Sequence, residues 1–194
     1  MNLSALVLFA FVSTITPGPN NLMLWASGMN FGLRRTLRPL LGVILGFASL
    51  VAATGMGLGA LFQTLPWLSP LLRIVGSLYL VYLAYRIATA GRSEDASKGR
   101  PFTFTEAVAF QYVNPKAWVM AITATGSFLP PDQSVLLGTA VITGTFMLIG
   151  FPSITTWAAA GTAIGRILTN DRRRLAVNTG LGLLLLYTVY LINT

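Results

Sequence analysis

Residues 1–33, MNLSALVLFAFVSTITPGPNNLMLWASGMNFGL, contain no lysine, arginine, aspartate or glutamate. A helix needs only about 20 predominantly apolar residues to cross the hydrocarbon core of a bilayer. Residues 39–72, 133–165 and 175–194 are also free of these four residue types. A helix of a soluble protein would carry a polar face, and these stretches have none. The pattern predicts an all-α integral membrane protein, and the composition agrees, with 54% hydrophobic and 9% charged residues.

The apolar stretches and the polar connectors between them divide the chain into six transmembrane helices within one transmembrane domain, residues 1–194. The longest polar segment, about residues 91–101, separates a first repeat of about residues 1–90 from a second of about residues 102–194. The predicted spans cover roughly residues 2–28, 39–62, 67–88, 105–127, 135–160 and 173–193.

Basic residues alternate along the chain and predict its orientation. Eleven of the 13 fall in the first, third and fifth connectors. By the positive-inside rule that side is cytoplasmic, so the loop at 91–101 is cytoplasmic and both termini lie on the outer side of a bacterial inner membrane. The net charge of +8 is then a topology signal, and we expect contact with membrane lipids and no nucleic-acid partner. The eleven residues are Arg34, Arg35, Arg38, Arg86, Arg92, Lys98, Arg100, Arg166, Arg172, Arg173 and Arg174.

Proline motifs interrupt the first and fourth spans, at TPGPNN (residues 16–21) and VNPKA (residues 113–117). A proline inside a helix removes one backbone hydrogen bond and clashes with the carbonyl four residues earlier. Freed backbone groups are tolerated in a membrane only where protein or a water-filled cavity satisfies them. We therefore predict that both breaks face the interior near mid-depth and bind an amino-acid zwitterion, with a simple packing kink as the alternative. The candidate substrate-binding residues are Pro17, Gly18, Pro19, Asn20, Asn21, Gln111, Asn114, Pro115 and Lys116.

Lys116 is the charged residue predicted to lie near the middle of a span. A lysine at the centre of a membrane helix costs about 2.5–3.5 kcal/mol on insertion scales. We expect no aspartate or glutamate inside any span, so its partners would be carbonyls freed near Pro17 and Pro19, or a substrate carboxylate. A structural lysine that ties the two breaks together is the alternative, and the two roles are compatible.

The two halves of the chain resemble each other. Each half has three spans, an odd number, so the second half enters the membrane from the opposite side. Two inverted three-helix repeats, with helices 1 and 4 broken, are typical of secondary transporters. Three glycine pairs share an offset of 104 residues, namely Gly46 with Gly150, Gly57 with Gly161 and Gly76 with Gly180.

The motifs at residues 16–21 and 114–117 resemble the two hallmarks of the LysE/RhtB family of amino-acid exporters. The stretches YLVYLAYRI (79–87) and FQYVN (110–114) are most similar to the branch that exports cysteine and O-acetylserine. The resemblance implies a secondary transporter that exports small neutral amino acids or derivatives, of the cysteine/O-acetylserine, threonine/homoserine or leucine type. It also implies proton-gradient coupling, in which Lys116 could take part.

The residue types that are missing exclude other functions. The chain has no cysteine and no histidine, so we expect no metal site and no cofactor. A membrane protease would need a Ser–His pair or two membrane aspartates, so we do not expect an enzyme. A non-transporting membrane subunit that assembles with another protein remains the alternative function. The sequence does not give the oligomeric state.

Overall fold

The computed structural model describes residues 1–90, 100–129, 134–168 and 170–194. Most of these residues are helical and none of them forms a strand, which confirms the all-α prediction. Most of the predicted cytoplasmic loop at 91–101 lies outside the described residues. The helices are α1 (Leu3–Ile15), α2 (Pro19–Phe31), α3 (Leu33–Gly55), α4 (Leu61–Thr64, after a 3₁₀ turn at Leu58–Ala60), α5 (Leu68–Thr89), α6 (Phe104–Val113), α7 (Pro115–Phe128), α8 (Val135–Ile167) and α9 (Asp171–Asn193).

The first predicted span is two helices joined at an angle. α1 ends at Ile15 and α2 begins at Pro19, with a bend of 54° between them. Pro17 and Pro19 have no backbone N–H with which to continue the helical hydrogen bonds of α1. Pro19 instead occupies the first position of α2, where a missing N–H costs nothing. The sequence-based prediction of a break is therefore confirmed here.

The second predicted span, 39–62, is displaced in the structure. α3 begins at Leu33, directly after Gly32, whose φ of 78° ends α2 and starts α3 in a conformation that favours glycine. It ends at Gly55, because Gly57 adopts a φ of 108° that stops the helix. Arg34, the first basic residue of the chain, thus lies in the first turn of α3 and not in a connector.

The fourth predicted span is also interrupted, but only at Asn114, between α6 and α7. A capping box starts α6, in which the Thr103 hydroxyl accepts the Glu106 N–H and the Glu106 carboxylate accepts the Thr103 N–H. Position 106 falls inside the predicted span, so the expectation of no acidic residue there was wrong. Glu106 lies on the first turn and pairs with Arg86 and Arg100, at N–O distances of 3.2 and 2.9 Å.

α8 is the longest helix, with 33 residues, and it ends seven residues beyond the predicted limit of 160. At 1.5 Å per residue it is about 50 Å long, more than the roughly 30 Å of a hydrocarbon core. It packs against α1, α2 and α3, and its small residues allow close approach: a Cβ on Gly161 would overlap the Trp25 carbonyl of α2. α8 is therefore the helix around which the site is arranged.

The outer surface of the bundle is apolar, as contact with lipid requires. Large side chains such as Leu148, 76% exposed, and Leu136, 71% exposed, point away from the protein. α3, α5, α8 and α9 are each long and apolar enough to cross a membrane, and α1 with α2 meets the same criterion as a bent pair. α6 and α7 occupy the fourth predicted span in two shorter pieces, so the count of six crossings stays a prediction.

Candidate functional site

The first helix break, residues 16–18, leaves several backbone carbonyl oxygens without helical partners. The side-chain amide of Asn21 donates to the carbonyls of Thr14 and Thr16, at 2.9 and 2.8 Å. The indole N–H of Trp157, on α8, donates to the carbonyl of Ile15 at 3.0 Å. These bonds satisfy backbone groups that would otherwise be unpaired inside the protein.

Lys116 lies opposite this break, and its ammonium group donates hydrogen bonds to it. Its Nζ lies 3.1 Å from the Thr16 carbonyl oxygen, 3.0 Å from the Thr16 hydroxyl and 3.2 Å from the Pro17 carbonyl oxygen. An ammonium group has three hydrogens to donate, so these three acceptors match its capacity. The predicted contact between Lys116 and carbonyls freed near Pro17 and Pro19 is present.

Gly18 gives the lysine side chain its space. Its backbone is fully extended, with φ 178° and ψ 175°, which any residue can adopt. A Cβ at this position would lie 3.0 Å from both Cδ and Nζ of Lys116. Gly18 is therefore suited to this position because the lysine packs over its Cα, and not because of its backbone angles.

The second break is satisfied by residues next to it. The Asn114 side-chain oxygen accepts the Lys116 N–H at 3.1 Å and so caps α7. The indole N–H of Trp118 donates to the Tyr112 carbonyl at 2.8 Å. Asn114 donates its backbone N–H to the Gln111 carbonyl at 3.4 Å, which replaces the bond that Pro115 cannot make.

A pair of side-chain amides joins the two breaks. The amide nitrogen of Asn20 donates to the Gln111 oxygen at 2.9 Å, and the Gln111 nitrogen donates to the Asn20 oxygen at 3.0 Å. Gln111 is fully buried and also donates to the carbonyl of Ala107, within α6. This reciprocal pair fixes the start of α2 against α6, across 91 residues of sequence.

A cavity of about 40 Å³ lies between the breaks, with room for a few water molecules. Polar groups of both breaks line one side of it, and α3 and α8 supply an apolar side. Its lining includes no carboxylate. The lining residues are Ser13, Thr14, Gly18, Asn20, Asn21, Val43, Ile44, Phe47, Ala48, Asn114, Lys116, Ala117, Met120, Phe146, Met147, Gly150 and Ile154.

The structure brings the predicted site residues together in different roles. Gly18, Asn20, Asn21, Asn114 and Lys116 line the cavity. The other predicted residues shape the backbone or link the breaks, and they do not line it; these are Pro17, Pro19, Gln111 and Pro115.

Thr16 and the two tryptophans were not among the predicted site residues. Thr16 lies inside the first motif, and a hydroxyl beside freed carbonyls was a signal that could have found it. Trp157 is 142 residues from Ile15 in sequence, and no local sequence pattern predicts the hydrogen bond between them. In the part of the chain that the structure describes, no group of three acidic, cysteine or histidine side chains could hold a metal ion.

Comparison with known proteins places the chain in a family. The model of the LysE type translocator matches residues 11–192. The chain is 32% identical over 185 residues to the cysteine/O-acetylserine efflux proteins of Escherichia coli strain K12, Escherichia coli O139:H28 and Shigella flexneri, covering 95% of this chain and 94% of each relative. No solved structure matches. The predicted resemblance is confirmed: the chain belongs to the LysE type translocator family, and it is a multi-pass membrane transporter and not an enzyme.

Proposed function

We propose that this protein exports small neutral amino acids or their derivatives from the bacterial cytoplasm, with cysteine and O-acetylserine as the first candidates. Membership of the translocator family and the names of the efflux relatives support export. We further propose that the chain crosses the inner membrane six times, with both termini outside. The basic residues at one end of α3, α5 and α8 support this orientation.

One observation carries the proposal: a positive ammonium group faces freed carbonyls beside a cavity. An amino-acid zwitterion carries the two complementary groups, a carboxylate and an ammonium. On binding, its carboxylate would take the Lys116 ammonium, and its own ammonium would take the carbonyls of Thr16 and Pro17. The substrate thus replaces an internal contact with two equivalent ones, so binding leaves neither the lysine nor the carbonyls unpaired.

The lining of the cavity favours neutral and small substrates. A cationic side chain would need a carboxylate, and Glu106, in α6, is paired with Arg86 and Arg100 away from the lining. The substrate side chain would instead face Val43 and Ile44 of α3. The cavity has room for only a few water molecules, which is less than cysteine or O-acetylserine needs, so we propose that it widens when substrate enters.

Two inverted repeats form the architectural part of the proposal. Gly46 of α3 contacts Val108 in α6, the first half of the fourth span, and Gly150 of α8 contacts Thr14 in α1, the first half of the first span. These equivalent contacts support the repeat.

The other two glycine pairs do not match in this way. Gly57 forms a turn whereas Gly161 packs against Trp25, and Gly180 has open space where Gly76 contacts the Val113 carbonyl. The alignment of the repeats therefore rests on the proline breaks and on Gly46 with Gly150.

Proton coupling is a separate part of the proposal. The one ionisable side chain in the cavity lining is Lys116, so we propose that it exchanges the coupling proton. Export with and without an imposed proton gradient, in wild type and Lys116→Arg, tests this step. Equal export under both conditions would leave facilitated diffusion as the mechanism.

Export from loaded vesicles tests the function. Vesicles that contain the purified protein are loaded with cysteine, O-acetylserine, threonine, homoserine, leucine or lysine, and efflux of each is followed. Lys116→Met should lower efflux about 100-fold, because the substrate carboxylate would lose the positive charge that is proposed to bind it. Arg73→Met also removes one positive charge, on the exposed side of α5, and should leave efflux unchanged. Equal efflux in wild type and Lys116→Met would remove the site assignment.

A second variant displaces the lysine without removing it. Gly18→Ala places a methyl group 3.0 Å from Lys116 Nζ and should lower efflux about tenfold by moving the ammonium. Gly126→Ala, in α7, adds the same methyl group into open space and is the matched control. No efflux of any substrate from vesicles with folded wild-type protein would favour the alternative, a membrane subunit that needs a partner.

A further inference from the structure

Two threonines of α8 have buried hydroxyl groups that make no hydrogen bond among the described residues. The hydroxyls of Thr139 and Thr143 are inaccessible to solvent and contact no acceptor or donor among the described residues. Thr145 and Thr155, on the same helix, donate to the carbonyl four residues earlier, at 2.8 and 2.6 Å. An unpaired buried hydroxyl costs about 1–3 kcal/mol. Two of them on one helix face therefore point to a ligand that is bound only part of the time.

The position of these hydroxyls relates them to the cavity. From α8, Phe146, Met147, Gly150 and Ile154 line the cavity. Residues spaced three and four apart share one face of a helix, so Thr143 and Thr139 continue this face towards the N-terminal end of α8. Arg166 lies in the last turn of α8, so the threonines lie between the cavity and the end without basic residues.

Aromatic side chains close the cavity on the side of the threonines. The rings of Phe47 and Phe146 meet edge to face with centroids 5.2 Å apart, and Phe9 meets Phe146 in the same way at 6.0 Å. Phe146 is only 1% exposed. Beyond them, Thr139 packs directly against Gly55 at the end of α3. The space between α3 and α8 is thus closed at the Phe47–Phe146 contact and again at the Thr139–Gly55 contact. Thr139 lies at the second contact, and Thr143 lies between the two.

We propose that the outward part of the substrate path runs between α3 and α8, past Thr143 and then Thr139. The path opens when Phe47 and Phe146 separate, and the two hydroxyls then hydrogen-bond the polar groups of the departing amino acid. Thr139 packs directly against Gly55, so this contact must also open before the substrate can pass. The identity of the substrate and the outward direction of the path rest on the proposed function, whereas the course of the path between α3 and α8 does not.

Thiol accessibility tests the path directly, because the chain has no natural cysteine. Thr143→Cys and Thr139→Cys are treated in vesicles with a charged, membrane-impermeant methanethiosulfonate reagent, with and without substrate. Leu148→Cys is the control, since position 148 is on α8 but 76% exposed on the outer, apolar surface. We expect both path positions to react at least about tenfold faster than the control, and substrate to change their rates. Labelling no faster than Leu148→Cys under both conditions would overturn the path.

Export by valine variants tests the role of the hydroxyls. Valine has the shape of threonine, so Thr139→Val with Thr143→Val should keep or raise the melting temperature, because it removes unpaired polar groups. We expect efflux to fall about tenfold while Thr145→Val has no effect. Unchanged efflux in the double variant would show that the hydroxyls do not contact substrate. Fast labelling in a protein that exports none of the amino acids tested would contradict the proposed function but support the path.

Discussion

The two helix breaks differ in where the partners of their freed carbonyls come from. At the first break, Lys116 of α7 and Trp157 of α8 hold the carbonyls of residues 15–17, and both belong to the second half of the chain. At the second break, the Trp118 indole donates to the Tyr112 carbonyl and the Asn114 backbone N–H donates to the Gln111 carbonyl, so these partners lie within two turns of the interruption. The first break is held by Asn21 from its own half and by residues of the second half, whereas the second break is, among the described residues, held only by residues close to it in sequence.

This difference indicates which break changes during transport. The first break spans three residues and bends the chain by 54°, whereas the second interrupts the helix at one residue. If the halves move relative to each other, the bonds of Lys116 and Trp157 to the first break must change, and the local bonds of the second need not. We therefore propose that the first break supplies the acceptors that a substrate can take over and that the second holds the lysine in place.

The largest expected effect comes from replacing the asparagine at each break. Asn21→Leu removes two hydrogen bonds, to the carbonyls of Thr14 and Thr16, of which only Thr16 keeps another donor in Lys116, and it should lower the free energy of unfolding by about 3 kcal/mol. Asn114→Leu removes only a helix cap and should cost about 1 kcal/mol. Thermal unfolding of the purified protein in detergent, followed by circular dichroism, measures both.

Serine at the same two positions separates donor from acceptor roles. Serine is as good a helix cap as asparagine, so Asn114→Ser should be nearly neutral. A hydroxyl has one hydrogen and cannot satisfy two carbonyls, so Asn21→Ser should still destabilise. Equal losses at the two positions would contradict the difference between the breaks.

A smaller effect is expected from the two tryptophans that donate to freed carbonyls. Trp157→Phe and Trp118→Phe should each lower the free energy of unfolding by about 2 kcal/mol, because each leaves one carbonyl unpaired. Of these two tryptophans, only Trp157 joins a break to a distant part of the chain. Trp157→Phe should therefore also change export, and Trp118→Phe should change it less. Trp67→Phe, at a site that is 57% exposed, is the control and should change neither. Equal export by both variants would argue against a mobile first break.

The sequence was sufficient to locate the breaks because proline acts locally. Pro17, Pro19 and Pro115 remove specific backbone bonds whatever the surroundings, and Lys116 in an apolar stretch needs polar partners. The partners themselves depend on tertiary packing. Trp157 reaches Ile15 only because α8 packs against α1 and α2, and neither residue shows this in its local sequence.

The limits of α3 and the size of the cavity could not be predicted from the sequence. The start of α3 depends on the backbone angle of Gly32, and glycine permits many angles. The cavity volume depends on how Phe47 and Phe146 pack together. Hydrophobic periodicity carries no information about such contacts between distant helices.

The smallest expected effect measures how strongly the two breaks depend on each other. Asn20 and Gln111 donate to each other at 2.9 and 3.0 Å and form the direct side-chain link between α2 and α6. A double-mutant cycle with Asn20→Ala and Gln111→Ala should give a coupling of about 1 kcal/mol in unfolding. The cycle cancels the separate bond from Gln111 to the Ala107 carbonyl, which the single variant also loses. A coupling near zero would mean that each break is stabilised independently. The contact between Lys116 and the first break would then be the remaining polar link described between them.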